Sequence, residues 1–259
     1  MIVELDHDEA GAGRPVVLLH AFPLSNAIWS RQLSAPPPGA RLIAPDLRGF
    51  GASPGGGEPS LDAMADDVAA LLDRLGLDSV VLGGLSMGGY VAMAFLRRHP
   101  GRVGALVLAD TKAGADAEAG VAKRLAMAAR LEEEDSPRAL LDDVVPGLLG
   151  ATTKRRFPEV ATRVAGLARA CDPRSAAWAQ RAMAARPDSF ATLRAADVPA
   201  VVIVGEEDAI SPVADAEAMA EALPQAGKAV VIPASGHLTS VERPGPFSAA
   251  LAGFLGSLP

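Results

Sequence analysis

The chain has 259 residues, 49% of them hydrophobic and 21% charged, which excludes a disordered chain and suits one large α/β domain or two smaller ones. The formal net charge is −7 and basic residues are interspersed with acidic ones, which argues against a nucleic-acid or membrane partner and favours a small-molecule ligand. A single cysteine, Cys171, excludes an intrachain disulfide and a cysteine-based zinc site.

The N-terminal stretch carries acidic residues where a secretory signal would carry basic residues and an apolar segment, so we expect a cytoplasmic protein. His7 lies in the polar run DHDE at 6–9, which predicts a surface turn. The uncharged stretch 79–96 has the length of a membrane span, but its glycines favour a buried strand followed by a buried helix.

Short runs rich in valine and leucine recur along the chain without polar alternation, the pattern of strands covered on both faces in a parallel sheet. These runs are 15–19, 41–44, 79–82, 104–109, 199–204 and 228–232. Helical patterns alternate with several of them, at 61–75, 87–98 and 244–258. This alternation predicts an α/β fold built on a doubly wound, mostly parallel sheet.

The alternation stops between residues 113 and 196, where helical patterns occur at 119–134, 137–149 and 175–186 but no strand-like run occurs. We therefore expect an inserted helical cap, or lid, at 113–196, and a core made of residues 1–112 and 197–259. Small apolar residues dominate the predicted cap. They predict an aliphatic pocket and favour uncharged acyl chains over dianions.

The segment GGLSMGG at 83–89 lies between a predicted strand and a predicted helix. It lacks the spacing of a dinucleotide-binding fingerprint and the Lys-Ser or Lys-Thr pair of a phosphate-binding loop. It does contain G-x-S-x-G, whose sharp turn requires glycine two residues before and two after the serine. Such a turn would expose the hydroxyl of Ser86 beside N–H groups able to stabilise an oxyanion. A glycine-rich turn with an ordinary serine is the alternative.

A serine nucleophile needs a histidine that takes its proton and a carboxylate that orients the histidine. Of four histidines, His20 and His237 follow predicted strands, at the edge where open α/β sheets place their sites. His237 also follows the serine in chain order. Asp208 lies between them in sequence, after a predicted strand, and Asp110 ends another strand.

Together these segments resemble the motifs of the α/β-hydrolase superfamily over nearly the whole chain. HAFP resembles the family's His-Gly-x-Pro oxyanion loop, although Ala21 stands where glycine is usual, and DLRGFGAS resembles its D-x-R-G-x-G-x-S loop. GLSMG at 84–88 resembles its nucleophile elbow. GEED at 205–208 and GH at 236–237 resemble its acid loop and its histidine loop. The resemblance implies an α/β-hydrolase fold with an inserted helical cap.

The resemblance also assigns roles to individual residues. It implies that Ser86 is the nucleophile, that His237 is the general base and acid, and that Asp208 is the orienting carboxylate. It further implies that the backbone N–H groups of Phe22 and Met87 form the oxyanion hole. Some members of the family take the acid from the position that Asp110 occupies here. We favour Asp208 as the acid.

This arrangement implies acyl transfer through an acyl-enzyme, and therefore a serine hydrolase that acts on small esters or lactones without a cofactor or metal. The segments LHAFPL at 19–24 and GHLTSVERP at 236–244 are most similar to those of 3-oxoadipate enol-lactonases and related small carboxylesterases. The candidate substrate-binding residues are His20, Trp29, Lys112 and Trp178. Of these, Lys112 could bind a substrate carboxylate.

Two alternatives stay open. Cofactor-free haloperoxidases, which form peracids, share the same triad and a similar oxyanion loop. A catalytically silent α/β-hydrolase that serves as a ligand receptor belongs to a different functional class. Such receptors often lose a triad member, whereas this chain retains all three.

Overall fold

The computed structural model describes residues 1–259 and contains seven β-strands. They are β1 (His7–Gly11), β2 (Arg14–Leu19), β3 (Ala40–Pro45), β4 (Val80–Leu85), β5 (Val103–Ala109), β6 (Ala200–Gly205) and β7 (Val230–Ile232). The strands form one sheet in the order β1-β3-β2-β4-β5-β6-β7. β1 pairs antiparallel with β3, and every other neighbouring pair is parallel. The predicted doubly wound, mostly parallel sheet is confirmed.

Helices cover both faces of the sheet and fill the segment between β5 and β6. They are α1 (Ser30–Ser34), α2 (Leu61–Arg74), α3 (Met87–Arg98), α4 (Glu118–Glu134), α5 (Ala151–Arg156), α6 (Pro158–Arg169), α7 (Pro173–Ala184), α8 (Phe190–Arg194), α9 (Val213–Ala222), α10 (Thr239–Glu242) and α11 (Pro244–Ser257). None of them combines the length and the apolar character that crossing a membrane requires.

The strand β2 shows how the sheet supports a hydrophobic core on each face. Val17 and Leu19 pack into one core, and Val16 and Leu18 pack into the other. Because successive side chains of a strand point to opposite faces, a strand covered on both faces must be apolar at every position. Burial of each such side chain contributes about 1.5–3 kcal/mol. The unbroken apolar runs in the sequence arise from this arrangement.

The strand β1 differs from the sequence prediction. We expected a surface turn around His7, but His7 begins an edge strand whose residues are exposed or half-buried. The backbone of β1 pairs with β3 along its whole length. An edge strand with little buried surface needs no apolar run, so its sequence carries no strand signal.

Residues 113–196, called the helical region below, contain α4 to α8 and no strand. One predicted helix in it is wrong: 137–149 does not form a continuous α-helix. It forms a π-helical turn at Leu140–Val144 and a 3-10 turn at Val145–Gly147. Pro146 has no backbone N–H to donate, so an α-helix could not continue through it without losing a hydrogen bond.

Candidate active site

Ser86 lies between β4 and α3 with a φ of 56°, a backbone conformation that residues with a side chain seldom adopt. Its backbone N–H donates to Ala109 O at 2.9 Å, which anchors it to the end of β5. Its carbonyl accepts from Gly89 N and from Thr111 Oγ1, each at 2.9 Å. These contacts hold the strained residue in place at the carboxyl edge of the sheet.

The glycines on either side of Ser86 are sterically required. A Cβ on Gly84 would lie 2.1 Å from Gly88 O, and a Cβ on Gly88 would lie 2.3 Å from Leu19 O. Both distances are too short for any side chain. The backbone can therefore make this turn only with glycine at these two positions.

A chain of hydrogen bonds connects Ser86, His237 and Asp208. His237 Nε2 lies 2.7 Å from Ser86 Oγ, and His237 Nδ1 lies 2.8 Å from Asp208 Oδ2. Because the carboxylate can only accept, Nδ1 carries a proton and Nε2 accepts from the serine hydroxyl. His237 is 2% exposed, so the network is shielded from water.

The Asp208 carboxylate has further donors. Its Oδ1 accepts from the backbone N–H groups of Ile210 and Ser211 at 2.8 and 3.0 Å, and its Oδ2 accepts from Ser211 Oγ at 2.7 Å. Burial alone would raise the pKa of Asp208, but the hydrogen bonds from His237 and Ser211 hold that pKa below its usual value. Asp208 is therefore an anion beside the imidazole. The sequence analysis had not assigned Ser211 a role in the site.

The second candidate carboxylate, Asp110, is not hydrogen-bonded to the imidazole. Its Oδ1 accepts from Gly205 N at 3.0 Å, and its Oδ2 accepts from the backbone N–H and the hydroxyl of Thr239 at 2.8 and 2.6 Å. Burial raises the pKa of Asp110 to about 7. Asp110 thus links the ends of β5 and β6 to Thr239, two residues after His237. Asp208, in contrast, bonds directly to the imidazole ring of His237.

The two predicted oxyanion donors are available. The backbone N–H groups of Phe22 and Met87 donate no hydrogen bond to any group of the chain. Met87 is the first residue of α3, where N–H groups have no partner within the helix. Both N–H groups can therefore donate hydrogen bonds to a ligand oxygen.

His20 is fully buried, and both of its ring nitrogens are engaged. Nδ1 lies 3.0 Å from Ala21 O, and Nε2 accepts from Leu47 N at 2.9 Å. Burial lowers the pKa of His20, which favours a neutral ring. These contacts make His20 a support for the loop that carries Phe22, and no face of the ring is exposed to a substrate.

The other predicted substrate contacts have different partners in the structure. Trp29 is 1% exposed and packs on Phe247 with ring centroids 5.7 Å apart, which is a core position. The Trp178 indole N–H donates to Gly57 O at 2.7 Å, and its ring lies beneath Arg48. Trp29 therefore has no surface to offer a substrate, whereas Trp178 is partly exposed and lies beside the loop that contains Gly57.

An open groove of about 750 Å³, called the cationic groove below, is lined by the carboxylates of Asp116 and Asp143 and by four basic side chains. They are Lys112, Lys123, Arg124 and Arg130. No triad residue lines the groove, but two lining residues are connected to the triad. Lys112 follows Thr111, whose hydroxyl donates to the Ser86 carbonyl, and the Ile210 N–H donates to Asp208.

Around Asp116, which lines this groove, basic side chains outnumber carboxylates. The single carboxylate of Asp116 pairs with Lys112 at 3.3 Å, Arg124 at 2.5 Å and Arg186 at 2.6 Å. Burial would raise the pKa of Asp116, but the hydrogen bonds from the two arginines hold it well below its usual range. The sequence indicated only Lys112 of this cluster, because Arg186 lies 70 positions from Asp116 and only folding brings the two together.

Residues 14–244 match the family model described as the alpha/beta hydrolase fold. The chain therefore belongs to the α/β-hydrolase family, and the predicted fold is confirmed.

Curated relatives and solved structures agree with this assignment. A pimeloyl-[acyl-carrier protein] methyl ester esterase of Aromatoleum aromaticum is 34% identical over 221 residues, which cover 82% of this chain and 86% of that protein. A non-heme haloperoxidase of Rhodococcus erythropolis is 28% identical over 258 residues, 90% of this chain and 89% of that protein. Alignments to several other curated relatives span less than half of those proteins.

Two solved structures cover almost the whole chain. A thermophilic esterase from Thermogutta terrifontis, solved with malate bound, has a TM-score of 0.93 and 40% identity, covering 99% of this chain and 94% of that one. The enol-lactonase from Burkholderia xenovorans LB400 has a TM-score of 0.89 and 26% identity, covering 98% and 97%. The predicted resemblance to esterases and enol-lactonases is confirmed, and these relatives support hydrolase activity.

Proposed function

We propose that this protein is a serine hydrolase that cleaves small carboxylic esters or lactones through an acyl-enzyme. The observation that carries the proposal is the continuous hydrogen-bonded chain from Ser86 Oγ through His237 to Asp208. A serine hydroxyl becomes a useful nucleophile only when a base receives its proton, and here that base lies at hydrogen-bonding distance.

The proposed reaction proceeds in two halves. Ser86 Oγ attacks the carbonyl carbon while His237 Nε2 takes the hydroxyl proton, and Asp208 stabilises the imidazolium. The N–H groups of Phe22 and Met87 bind the tetrahedral oxyanion. Collapse of that intermediate breaks the ester bond, and His237 returns the proton to the leaving oxygen. His237 then deprotonates a water, which attacks the acyl-enzyme and releases the acid.

We also propose that residues 113–196 act as a cap on a core made of residues 1–112 and 197–259. Helix α4 lines the cationic groove from the cap side, and Ile210 lines it from the core. Backbone hydrogen bonding between His237 N and Leu148 O, at 3.1 Å, joins the same two parts beside the triad. Substrate would then enter between the cap and the core.

The cationic groove favours a substrate that carries a carboxylate. Three cations share the one carboxylate of Asp116, so Lys112, which is partly exposed, has charge available for a ligand anion. This revises the expectation of uncharged acyl chains, which came from the many alanines of the cap. Those alanines are dispersed over several helices, whereas the basic side chains converge on one groove.

The test compares wild-type protein with Ser86→Ala on four substrates. These are a neutral nitrophenyl butyrate, the nitrophenyl half-ester of a dicarboxylic acid, a small lactone, and acetate with hydrogen peroxide for peracid formation. We expect ester and lactone hydrolysis by the wild type, a higher kcat/KM for the half-ester than for the neutral ester, and no turnover by the variant. Peracid formation faster than every hydrolysis would favour the haloperoxidase alternative. Ligand binding without turnover would favour a receptor.

A further inference from the structure

The backbone around His237 is held from two sides. Gly236 N and Leu238 N, which flank the histidine, both donate to Glu242 Oε1, at 2.9 and 3.2 Å. His237 N donates instead to Leu148 O of the helical region, at 3.1 Å. Three consecutive N–H groups are thus committed, two to one carboxylate oxygen and one to the helical region.

The other oxygen of Glu242 bonds to the helical region as well. Oε2 accepts from Gly150 N at 2.9 Å, two residues after the carbonyl that binds His237. Glu242 is 4% exposed and forms no ion pair with lysine, arginine or histidine. Its three partners are all backbone N–H groups, which a carboxylate can satisfy and which a neutral carboxamide can satisfy only in part.

The two backbone segments that Glu242 joins are in direct contact. A Cβ on Gly236 would lie 2.2 Å from Gly150 N, and a Cβ on Gly150 would lie 2.8 Å from Gly236 N. The approach is possible because both residues are glycine. A shift of 148–150 would therefore be transmitted to the histidine loop through backbone contact and through Glu242.

We propose that Glu242 is a positioning residue that ties the helical region to the loop of His237 and sets the distance between His237 Nε2 and Ser86 Oγ. This inference rests on the proposed function. Glu242 touches no reacting atom and acts only through His237. Asp110 anchors the following residue, Thr239, independently, so loss of the Glu242 carboxylate would displace 236–238 without releasing the whole loop.

The test is Glu242→Gln, because the carboxamide has nearly the same shape but only one oxygen acceptor. The variant must give up the bonds to Gly236 and Leu238 or the bond to Gly150. Glu207→Gln is the matched control, since Glu207 binds Thr152 of the same helical region and makes no bond to residues 236–238. Both variants are assayed on the nitrophenyl ester, and thermal unfolding is measured in parallel.

We expect Glu242→Gln to lower kcat by about tenfold to a hundredfold per mole of folded protein, because a small misplacement of a catalytic group has effects of this size. KM should change by less than about twofold, because Glu242 is not in contact with the substrate. Glu207→Gln should retain the wild-type kcat. A purely structural role would lower the unfolding temperature and leave kcat unchanged, and that result would overturn the inference.

If Glu242→Gln does not fold, Gly150→Ala decides the matter. The added methyl group would lie 2.8 Å from Gly236 N and 2.5 Å from Glu207 Oε2, so Gly150 must shift, while Glu242 and the triad residues keep their identity. The Glu207→Gln control shows whether a change at Glu207 by itself affects kcat. The inference predicts a reduced kcat in this variant too, and a wild-type kcat would overturn it. Failure of the proposed function is recognised separately, because Ser86→Ala would then retain the activity.

Discussion

The Oγ of Ser86 lies 2.7 Å from Nε2 of His237, although 151 positions separate the two residues along the chain. Ser86 follows β4, Asp208 follows β6 and His237 follows β7. Because these strands are parallel, their carboxyl ends lie at one edge of the sheet, and the sheet brings the three groups together there.

The choice of carboxylate can be tested by replacing each candidate with asparagine. We expect Asp208→Asn to lower kcat by about ten-thousandfold, because the neutral side chain no longer favours the required tautomer and charge of His237. Asp110→Asn should cost less than about tenfold, since Asp110 has no bond to the imidazole. Steady-state hydrolysis of a nitrophenyl ester measures both, and the opposite order of effects would assign the acid to Asp110.

Asp110 should also make stability depend on pH. Burial raises the pKa of its folded-state carboxyl to about 7, while an unfolded aspartate titrates near about 3.9. Between these values the folded chain holds a proton that the unfolded chain has released. The stability contributed by this group is therefore present in acid and is lost as the pH rises toward about 7.

Urea unfolding of wild type and Asp110→Asn at about pH 5 and about pH 8 measures this effect. The free energy of unfolding of the wild type should include a component that declines between the two conditions, and the asparagine variant should lack that component. Equal pH dependence in the two proteins would show that Asp110 does not hold the proton.

The cationic groove predicts charge-selective binding. Lys112→Gln should raise KM for a half-ester carrying a carboxylate by roughly fivefold, and the increase should shrink at high salt. KM for a neutral ester should be unchanged. Arg138→Gln is the control, because Arg138 is exposed, pairs with Asp142 and does not line the groove. An equal increase for both substrates would mean that Lys112 does not bind the substrate anion.

The elbow glycines predict a steric effect on stability. Gly84→Ala places a methyl group 2.1 Å from Gly88 O, and the required shift should lower the free energy of unfolding by about 1–3 kcal/mol. Gly101→Ala, whose Cβ would meet nothing within 4 Å, should change it by less than about 0.5 kcal/mol. Equal unfolding free energies for the two variants would contradict the close packing of this turn.

The sequence predicted the structure best where burial or steric crowding restricts the residue type at a position. Unbroken apolar runs predicted the central strands because these strands are buried on both faces. G-x-S-x-G predicted the turn at Ser86 because no other residue fits at Gly84 or Gly88. The edge strand β1 was missed because its stability comes from backbone pairing, which leaves little trace in side-chain type.

Sequence analysis was least informative where long-range contacts assign the role. Trp29 was predicted to bind substrate, but its packing against Phe247 places it in the core. One partner of each of two further carboxylates lies far away in the chain: Arg186 is 70 positions from Asp116, and Gly150 is 92 positions from Glu242. No local sequence pattern predicts that Gly150 contacts Gly236 of the histidine loop, so this contact could be found only in the folded structure.

The most direct test of the account is covalent labelling with a fluorophosphonate, which reacts with an activated serine and stops at a stable adduct. Mass spectrometry of the digested protein should find one adduct, on the peptide that contains Ser86, and Ser86→Ala should take up no label. An adduct on another serine, or an unlabelled protein that still hydrolyses esters, would contradict Ser86 as the nucleophile.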